Sequence, residues 1–207
     1  MIENIILDFG GILIDLDKSR FYSGLNALLG VSGLSDKHQL LMDEYEMGLM
    51  SEASFVYRLQ ESVDHQIAEY DILATWNSIL ADLPQHRLDF VLELRAGYKV
   101  YLLSNTNHSH IQWVRRDLKK RLGITDFEKR YFDRVFYSHE VNMRKPNHNI
   151  YQHVIDHLSL DPQKSIFIDD TLENVIAARA VGLHSEHHDP SLEIGSQLMG
   201  YISKALA

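Results

Sequence analysis

Residues 4–15 read NIILDFGGILID: an apolar run stops at Asp8, and Gly10 and Gly11 follow at once. A short apolar run bounded by glycine is typical of a buried parallel strand. Open α/β sheets build their sites at the carboxyl ends of such strands, so this pattern places Asp8 where chemistry is done. The alternative is an aspartate that only caps the turn after the strand.

The rest of the chain shows two kinds of pattern. Between the first strand and Pro84 the apolar residues recur at helical spacing, which predicts an all-helical insert. From Pro84 onward strands and helices alternate, which predicts an α/β fold: a Rossmann-like, doubly wound parallel sheet with helices on both faces. We expect a core of residues 1–16 and 84–207 and, over the carboxyl edge of its sheet, a small helical cap of residues 17–83. The predicted core elements are helix 86–95, strand 99–104, helix 109–122, strand 134–138, helix 147–158, strand 165–169, helix 172–181, strand 183–186 and a last helix after Pro190.

Composition narrows the classes of function. A chain of 207 residues, 45% of them hydrophobic, is long enough for one full core. The formal net charge of −9 argues against nucleic acid as a partner, because binding a phosphate backbone requires a basic face. The chain has no cysteine, which excludes disulfides, a thiol nucleophile and a cysteine-ligated zinc site. With neither a basic, apolar leader nor an apolar run of about 20 residues, the expected location is cytoplasmic, without a membrane partner. We expect a monomer or a weak homodimer.

A second buried strand ends on two adjacent carboxylates, Asp169 and Asp170. Only one aspartate of such a pair can be explained as the cap of the next helix. If both converge on Asp8, the three carboxylates repel and raise one another's pKa unless they share a cation. Oxygen ligands without histidine or cysteine favour magnesium, whose coordination a substrate phosphate commonly completes.

Two further segments carry groups that suit an anion. Strand 99–104 ends on Ser104, whose hydroxyl, with the backbone N–H of Asn105, can donate to an anionic oxygen. Lys145 directly precedes Pro146, so its backbone is extended and its ammonium can point into a cleft. The alternatives are a helix-capping turn for Ser104 and Asn105 and a solvated surface charge for Lys145.

Taken in order, these four segments resemble the four motifs of the haloacid dehalogenase-like hydrolase superfamily, and the insert resembles its small helical cap. The stretches LSNTN at 103–107, MRKP at 143–146 and IYQHV at 150–154 are most similar to the branch that acts on glucose 1-phosphate. The resemblance implies an Mg²⁺-dependent phosphatase that acts on a small phosphorylated metabolite, most simply a sugar phosphate. Asp8 would attack phosphorus and form an aspartyl-phosphate.

The resemblance also implies roles for the remaining site residues. Ser104 and Lys145 would hold the oxygens of the transferring phosphoryl group. The residues that contact substrate would be Gly10, Gly11, Ser104, Asn105 and Lys145. The ligands of Mg²⁺, directly or through water, would be Asp8, the backbone carbonyl of Gly10, Asp169 and Asp170.

Gly10 is a departure from the superfamily pattern. Most of its phosphatases carry at this position a second aspartate, which serves as general acid and base. Three interpretations stay open: a leaving group that departs unprotonated, another residue that supplies the proton, or a phosphate-binding protein with little turnover. Asp15 and Asp17, near the junction of cap and core, are candidate substitutes, with hinge capping as the alternative.

Two alternative functions fit these motifs less well. Dehalogenation needs no metal and leaves Asp169 and Asp170 unexplained. A receiver domain of two-component signalling has the paired acids first and the lysine last, the reverse of this order.

Several other polar residues are weaker candidates. On the cap, Tyr45, Glu46, Arg58 and Trp76 are candidates to line a substrate pocket, with ordinary packing as the alternative. The tract of His184, His187, His188 and Asp189 lacks regular metal-ligand spacing.

Overall fold

The computed structural model describes residues 1–206, and its centre is a five-stranded parallel sheet. The strands are β1 (Asn4–Leu7), β2 (Lys99–Ser104), β3 (Arg134–Tyr137), β4 (Ser165–Asp169) and β5 (His184–His187). Their order is β3-β2-β1-β4-β5, so β1 lies between β2 and β4. Leu7 is in register with Leu102 on one side and with Ile168 on the other. The residues that follow these three strands therefore meet at one edge, which confirms the predicted α/β fold.

The helices are bounded as follows: α1 (Lys18–Leu29), α2 (Asp36–Glu46), α3 (Glu52–Gln60), α4 (Glu69–Asn77), α5 (Gln85–Leu94), α6 (His108–Leu122), α7 (Phe127–Tyr131), α8 (Ser138–Val141), α9 (His148–Leu158), α10 (Leu172–Ala180) and α11 (Ile194–Ala205). A 3₁₀ turn, Pro162–Lys164, precedes β4. None of the helices in residues 1–206 is long and apolar enough to span a membrane.

The central strand shows why the sheet is covered on both faces. Ile5 and Leu7 pack in one hydrophobic cluster with residues of α5, α6 and α11, whereas Ile6 packs in a second with residues of α9 and α10. Successive side chains of a strand point to opposite faces, so a run of consecutive apolar residues requires two covered faces. The apolar run at the start of the chain thus determines the layered core.

Helices α1 to α4 form the predicted helical insert and pack around a cluster of their own. The two chain crossings lie side by side: Leu16 and Leu80 form an antiparallel bridge, and the N–H of Asp17 donates to the carbonyl of Ile79 at 2.8 Å. Because Leu80 belongs to this bridge, α4 ends at Asn77, earlier than its apolar spacing suggests. The domain boundaries at 16/17 and 83/84 stay a prediction.

Two short helices, α7 and α8, are absent from the predicted order. They contain five and four residues, too few to show a helical period in the sequence. The helix α8 begins at Ser138, the last residue of the predicted strand 134–138.

Candidate active site

Three carboxylates meet at the carboxyl edge of the sheet. Asp8 directly follows β1, Asp169 ends β4 and Asp170 comes next. One oxygen from each lies within 4.8 Å of the others. Asp169 is completely buried and Asp8 is nearly so. Among residues 1–206 no other group of three or more histidine or acidic side chains converges in this way.

Lys145 lies between two of these carboxylates. Its Nζ is 2.7 Å from Oδ1 of Asp8 and 2.6 Å from Oδ2 of Asp169, and it donates to the carbonyl of Leu103 at 3.1 Å. Only 1% of its side chain is exposed, which excludes the solvated surface charge that was the alternative. The carboxamide of Asn105 fixes the Lys145 backbone, because it accepts from the Lys145 N–H and donates to the Lys145 carbonyl, both at 2.9 Å.

The electrostatics of the cluster favour an additional cation. Burial, followed by the charge of Asp169, raises the pKa of the Asp8 carboxyl to about 7, although Lys145 opposes the change. Burial lowers the pKa of Lys145, but Asp169 and Asp8 outweigh burial and raise it. The buried ammonium of Lys145 thus contacts two of the three carboxylates. Oxygen donors this close fit a hard divalent cation such as Mg²⁺.

Asn174, in the first turn of α10, orients Asp169. Its Nδ2 lies 3.0 and 3.1 Å from the two oxygens of Asp169. The N–H of Thr171 donates to Oδ1 of Asp169 at 2.8 Å, and the hydroxyl of Tyr151 donates to the carbonyl of Asn174. The sequence motifs alone indicate no role for Asn174. The available signal was an amide side chain five residues after Asp169, at the start of the next helix.

The glycine pair lets the chain pass close to the carboxylates. Gly11 has φ +71°, and a Cβ there would lie 2.7 Å from Oδ2 of Asp170. A Cβ at Gly10 would lie 2.8 Å from a methyl carbon of Leu16, at the hinge. The predicted contact of the Gly10 carbonyl with a metal and the predicted substrate contacts of Gly10 and Gly11 stay predictions.

Ser104 and Asn105 lie at the carboxyl end of β2. Ser104 is buried at the same edge, with its Oγ 3.4 Å from the carbonyl of Asn105. Asn107, not Ser104, caps α6, since its side chain accepts from the N–H of His110. The carboxamide of Asn105 is occupied by Lys145, so a substrate contact of Asn105 rests on its backbone N–H. That Ser104 and Asn105 bind phosphate stays a prediction.

The cap contacts the core beside Lys145. Arg144 pairs with Asp43 at 2.7 Å and with Glu46 at 3.1 Å, both on α2. Burial raises the pKa of Glu46, against the opposing effect of Arg144. At Gly48, where φ is +67°, a Cβ would overlap the carbonyl oxygen of His139. The end of α2 therefore packs directly against residues 139–144, which precede Lys145 in the chain.

Lys18 connects the cap directly to the carboxylate cluster. It is the first residue of α1, and its Nζ lies 3.3 Å from Oδ2 of Asp170. No pattern in the sequence predicts the contacts of Lys18 and Arg144, because both contacts depend on how the cap helices pack over the edge of the sheet.

Three of the four weaker cap candidates pack or pair with residues outside the carboxylate cluster. Tyr45 and Trp76 belong to the cap's own hydrophobic cluster. Arg58 pairs with Glu44 at 3.0 Å, within the cap. These contacts favour ordinary packing and pairing for the three residues, and a role in a substrate pocket stays a prediction. Glu46 alone approaches the site, through Arg144.

Asp15 and Asp17 stabilise the hinge, the junction of cap and core at the Leu16–Leu80 bridge. Asp15 pairs with Arg87 at 2.7 Å, and Asp17 caps α1 by accepting from the N–H of Arg20 at 2.8 Å. The hinge-capping interpretation is therefore the one that the contacts support.

In the histidine tract, His188 contacts Tyr201 and the carbonyl of Leu192, and a ring nitrogen of His187 lies 2.9 Å from the carbonyl of Asp170.

The family of the chain follows from its similarity to known proteins. A model of the haloacid dehalogenase-like hydrolases matches residues 2–182. The chain belongs to the haloacid dehalogenase-like hydrolase family. The match includes all four segments and the helical insert, and it confirms the resemblance stated from the sequence.

Relatives in this family include named phosphatases. The chain is 27% identical over 195 residues to D-ribitol-5-phosphate phosphatase of Bacteroides thetaiotaomicron, covering 89% of this chain and 91% of that one. It is 27% identical over 188 residues to a phosphorylated carbohydrates phosphatase of Thermotoga maritima, covering 87% and 82%. A haloacid dehalogenase family enzyme of Bacteroides thetaiotaomicron, solved as a magnesium complex, superimposes with a TM-score of 0.85 and 32% identity, covering 95% and 98%.

Proposed function

We propose that this hydrolase is a Mg²⁺-dependent phosphatase that removes phosphate from a phosphorylated carbohydrate through an aspartyl-phosphate on Asp8. The observation that carries the proposal is the position of Lys145, whose buried ammonium contacts Asp8 and Asp169 together. Lysine neutralises the approach of a carboxylate to a phosphate, which repulsion would otherwise oppose. The named phosphatase relatives support the same class of reaction.

The metal ligands in this proposal are Asp8, Asp169, Asp170 and the carbonyl of Gly10. The donor set is all oxygen and its three carboxylates converge within 4.8 Å, as a magnesium site requires. When bound, Mg²⁺ would offset negative charge on the carboxylates and on the substrate phosphate. The magnesium complex of the structural relative supports the choice of ion.

The chain's own residues carry the chemical steps. A carboxylate oxygen of Asp8 attacks phosphorus and the bond from phosphorus to the substrate oxygen breaks. The carbohydrate leaves as an alkoxide, which takes a proton from water to become a free hydroxyl. Lys145, the Ser104 hydroxyl and the Asn105 N–H hold the phosphoryl oxygens while charge spreads over them. Water then hydrolyses the aspartyl-phosphate, which regenerates Asp8 and releases inorganic phosphate.

Substrate choice belongs to the cap, since the core residues contact only phosphate. We propose that residues 17–83 act as this cap, supported by the Leu16–Leu80 hinge and the Arg144 contacts with α2. Named relatives act on ribitol 5-phosphate and on phosphorylated carbohydrates, which favours a sugar or sugar-alcohol phosphate. Similarity to the glucose 1-phosphate branch stays a prediction.

Gly10 favours a second candidate, a phosphate-binding protein with little turnover. Loss of a positioned general acid and base commonly costs about 10²- to 10⁴-fold in rate. A hemiacetal oxygen, as at the anomeric carbon of a sugar 1-phosphate, departs more readily than an ordinary alkoxide and makes this loss smaller.

A substrate panel distinguishes the two. Release of inorganic phosphate is measured from D-ribitol 5-phosphate, glucose 1-phosphate, glucose 6-phosphate and adenosine monophosphate, each with Mg²⁺ and with excess EDTA. The proposal predicts Mg²⁺-dependent turnover of at least one carbohydrate phosphate in preference to the nucleotide. Phosphate binding without turnover of any of these compounds would establish the second candidate instead.

A further inference from the structure

Lys18 is the cap residue whose side chain reaches the carboxylate cluster directly. It follows Asp17, the cap of α1, two residues after the Leu16–Leu80 bridge. Its Nζ is 3.3 Å from Oδ2 of Asp170, and 57% of its side chain is exposed, against 9% for Asp170. An ammonium on a solvated, flexible stem thus touches a carboxylate that is almost completely buried.

The oxygen of Asp170 that Lys18 contacts lies beside the turn that follows Asp8. Oδ1 of Asp170 accepts from the hydroxyl of Thr171 at 3.2 Å. Oδ2 lies against the turn that follows Asp8, where a Cβ at Gly11 would be 2.7 Å from it. Oδ1 is thus bonded to Thr171, whereas Oδ2 is bonded to Lys18, and a cation that used Oδ2 would compete with that ammonium.

Lys145 and Lys18 differ in how firmly they are held. Lys145 is buried and has three oxygen partners, on Asp8, Asp169 and Leu103. Lys18 is largely exposed, and the contact with Asp170 is the one polar contact that residues 1–206 give its ammonium. Lys145 is thus a fixed cation of the site, whereas Lys18 can leave without breaking other bonds.

We propose that Lys18 is a positioning residue that occupies Oδ2 of Asp170 until Mg²⁺ binds and thereby weakens the affinity of the site for the metal. The inference rests on the proposed magnesium site. A divalent ion and an ammonium at one carboxylate oxygen repel, so the ammonium leaves as the ion arrives. Because Lys18 lies at the hinge, metal binding releases a contact between cap and core.

The test is calorimetric titration of metal-free protein with Mg²⁺, without substrate, at low ionic strength. Wild type is compared with Lys18→Met, with Lys18→Arg, which keeps the charge, and with Lys37→Met, which removes an exposed cap lysine on α2. Because an exposed ion pair interacts only weakly, we expect Lys18→Met to bind Mg²⁺ about two- to fivefold more tightly than wild type. Lys18→Arg and Lys37→Met should bind as wild type does, and added salt should reduce the difference.

Equal or weaker binding by Lys18→Met would overturn the inference. Asp170→Asn separates this failure from failure of the metal site itself. If wild type binds Mg²⁺ and Asp170→Asn does not, while Lys18→Met equals wild type, only the role of Lys18 is wrong. If wild type does not bind Mg²⁺, the proposed metal site and the role of Lys18 are both wrong. Thermal melting of each variant verifies that it is folded.

Discussion

At the scale of single residues, Asp169 depends on its neighbours for orientation. It is completely buried and receives hydrogen bonds from Lys145, Asn174 and the N–H of Thr171. A buried carboxylate that loses one donor is left with an unsatisfied acceptor and is less firmly oriented. Side chains that orient metal ligands commonly account for about 10- to 100-fold in metal affinity or activity.

Asn174→Ala tests this dependence. We expect a loss of about 10- to 100-fold in kcat/KM at limiting Mg²⁺, because Asp169 loses the amide that contacts both its oxygens. The assay is phosphate release as a function of Mg²⁺ concentration. Asn149→Ala, an exposed asparagine on α9, is the control, and equal activity of the two variants would contradict the role assigned to Asn174.

Site residues could be predicted from the sequence where they stand at the end of a recognisable strand. Asp8, Asp169 and Asp170 stand at strand ends, and parallel strand ends share one edge. Lys18, Asn174 and the partners of Arg144 could not be predicted, because their contacts depend on how the cap and the helices pack over that edge.

At the scale of elements, His110 joins α6 of the core to α4 of the cap. Its ring stacks on Trp76 with centroids 5.3 Å apart, Nε2 lies 3.2 Å from the carbonyl of Trp76, and Nδ1 lies 3.1 Å from Nδ2 of Asn107. Nε2 donates and Nδ1 accepts, so the ring is neutral. Burial lowers its pKa to about 4.

This pKa predicts a pH-dependent stability. Unfolded His110 takes up a proton near pH 6.5, whereas the folded protein resists protonation down to about pH 4. The contribution of His110 is therefore complete above about pH 6.5 and is lost as the pH falls toward 4, at up to about 1.4 kcal/mol per pH unit.

Urea unfolding at about pH 5 and about pH 7 measures this slope. His110→Phe, which keeps an aromatic ring on Trp76, should lower the pH dependence of the free energy of unfolding. His148→Gln, at an exposed position of α9, should leave it unchanged. An undiminished slope in His110→Phe would show that other groups cause the pH dependence.

Elements were predictable where their periodicity extends over several turns or a whole strand. The run 4–7 predicted β1, and helix 109–122 corresponds to α6 within one residue at its start. By contrast, α7 and α8 are too short for a period, and the end of α4 depends on the bridge of Leu80 with Leu16.

At the scale of the whole molecule, an acidic chain is expected to act on an anionic substrate. The net charge of −9 opposes binding at long range, but screening limits that effect to about 8–10 Å at physiological salt. Within that distance the site offers Lys145, Lys18 and the proposed Mg²⁺. Local cations rather than overall charge therefore determine whether phosphate binds.

The central claim is that Asp8 is the nucleophile of a metal-dependent phosphatase. It is tested most directly by phosphate release from the best substrate of the panel, measured for wild type and Asp8→Asn with Mg²⁺ and with excess EDTA. We expect turnover only by wild type with Mg²⁺, since an amide at position 8 neither attacks phosphorus nor binds the metal as a carboxylate does. Wild-type rates in Asp8→Asn, or in EDTA, would contradict it.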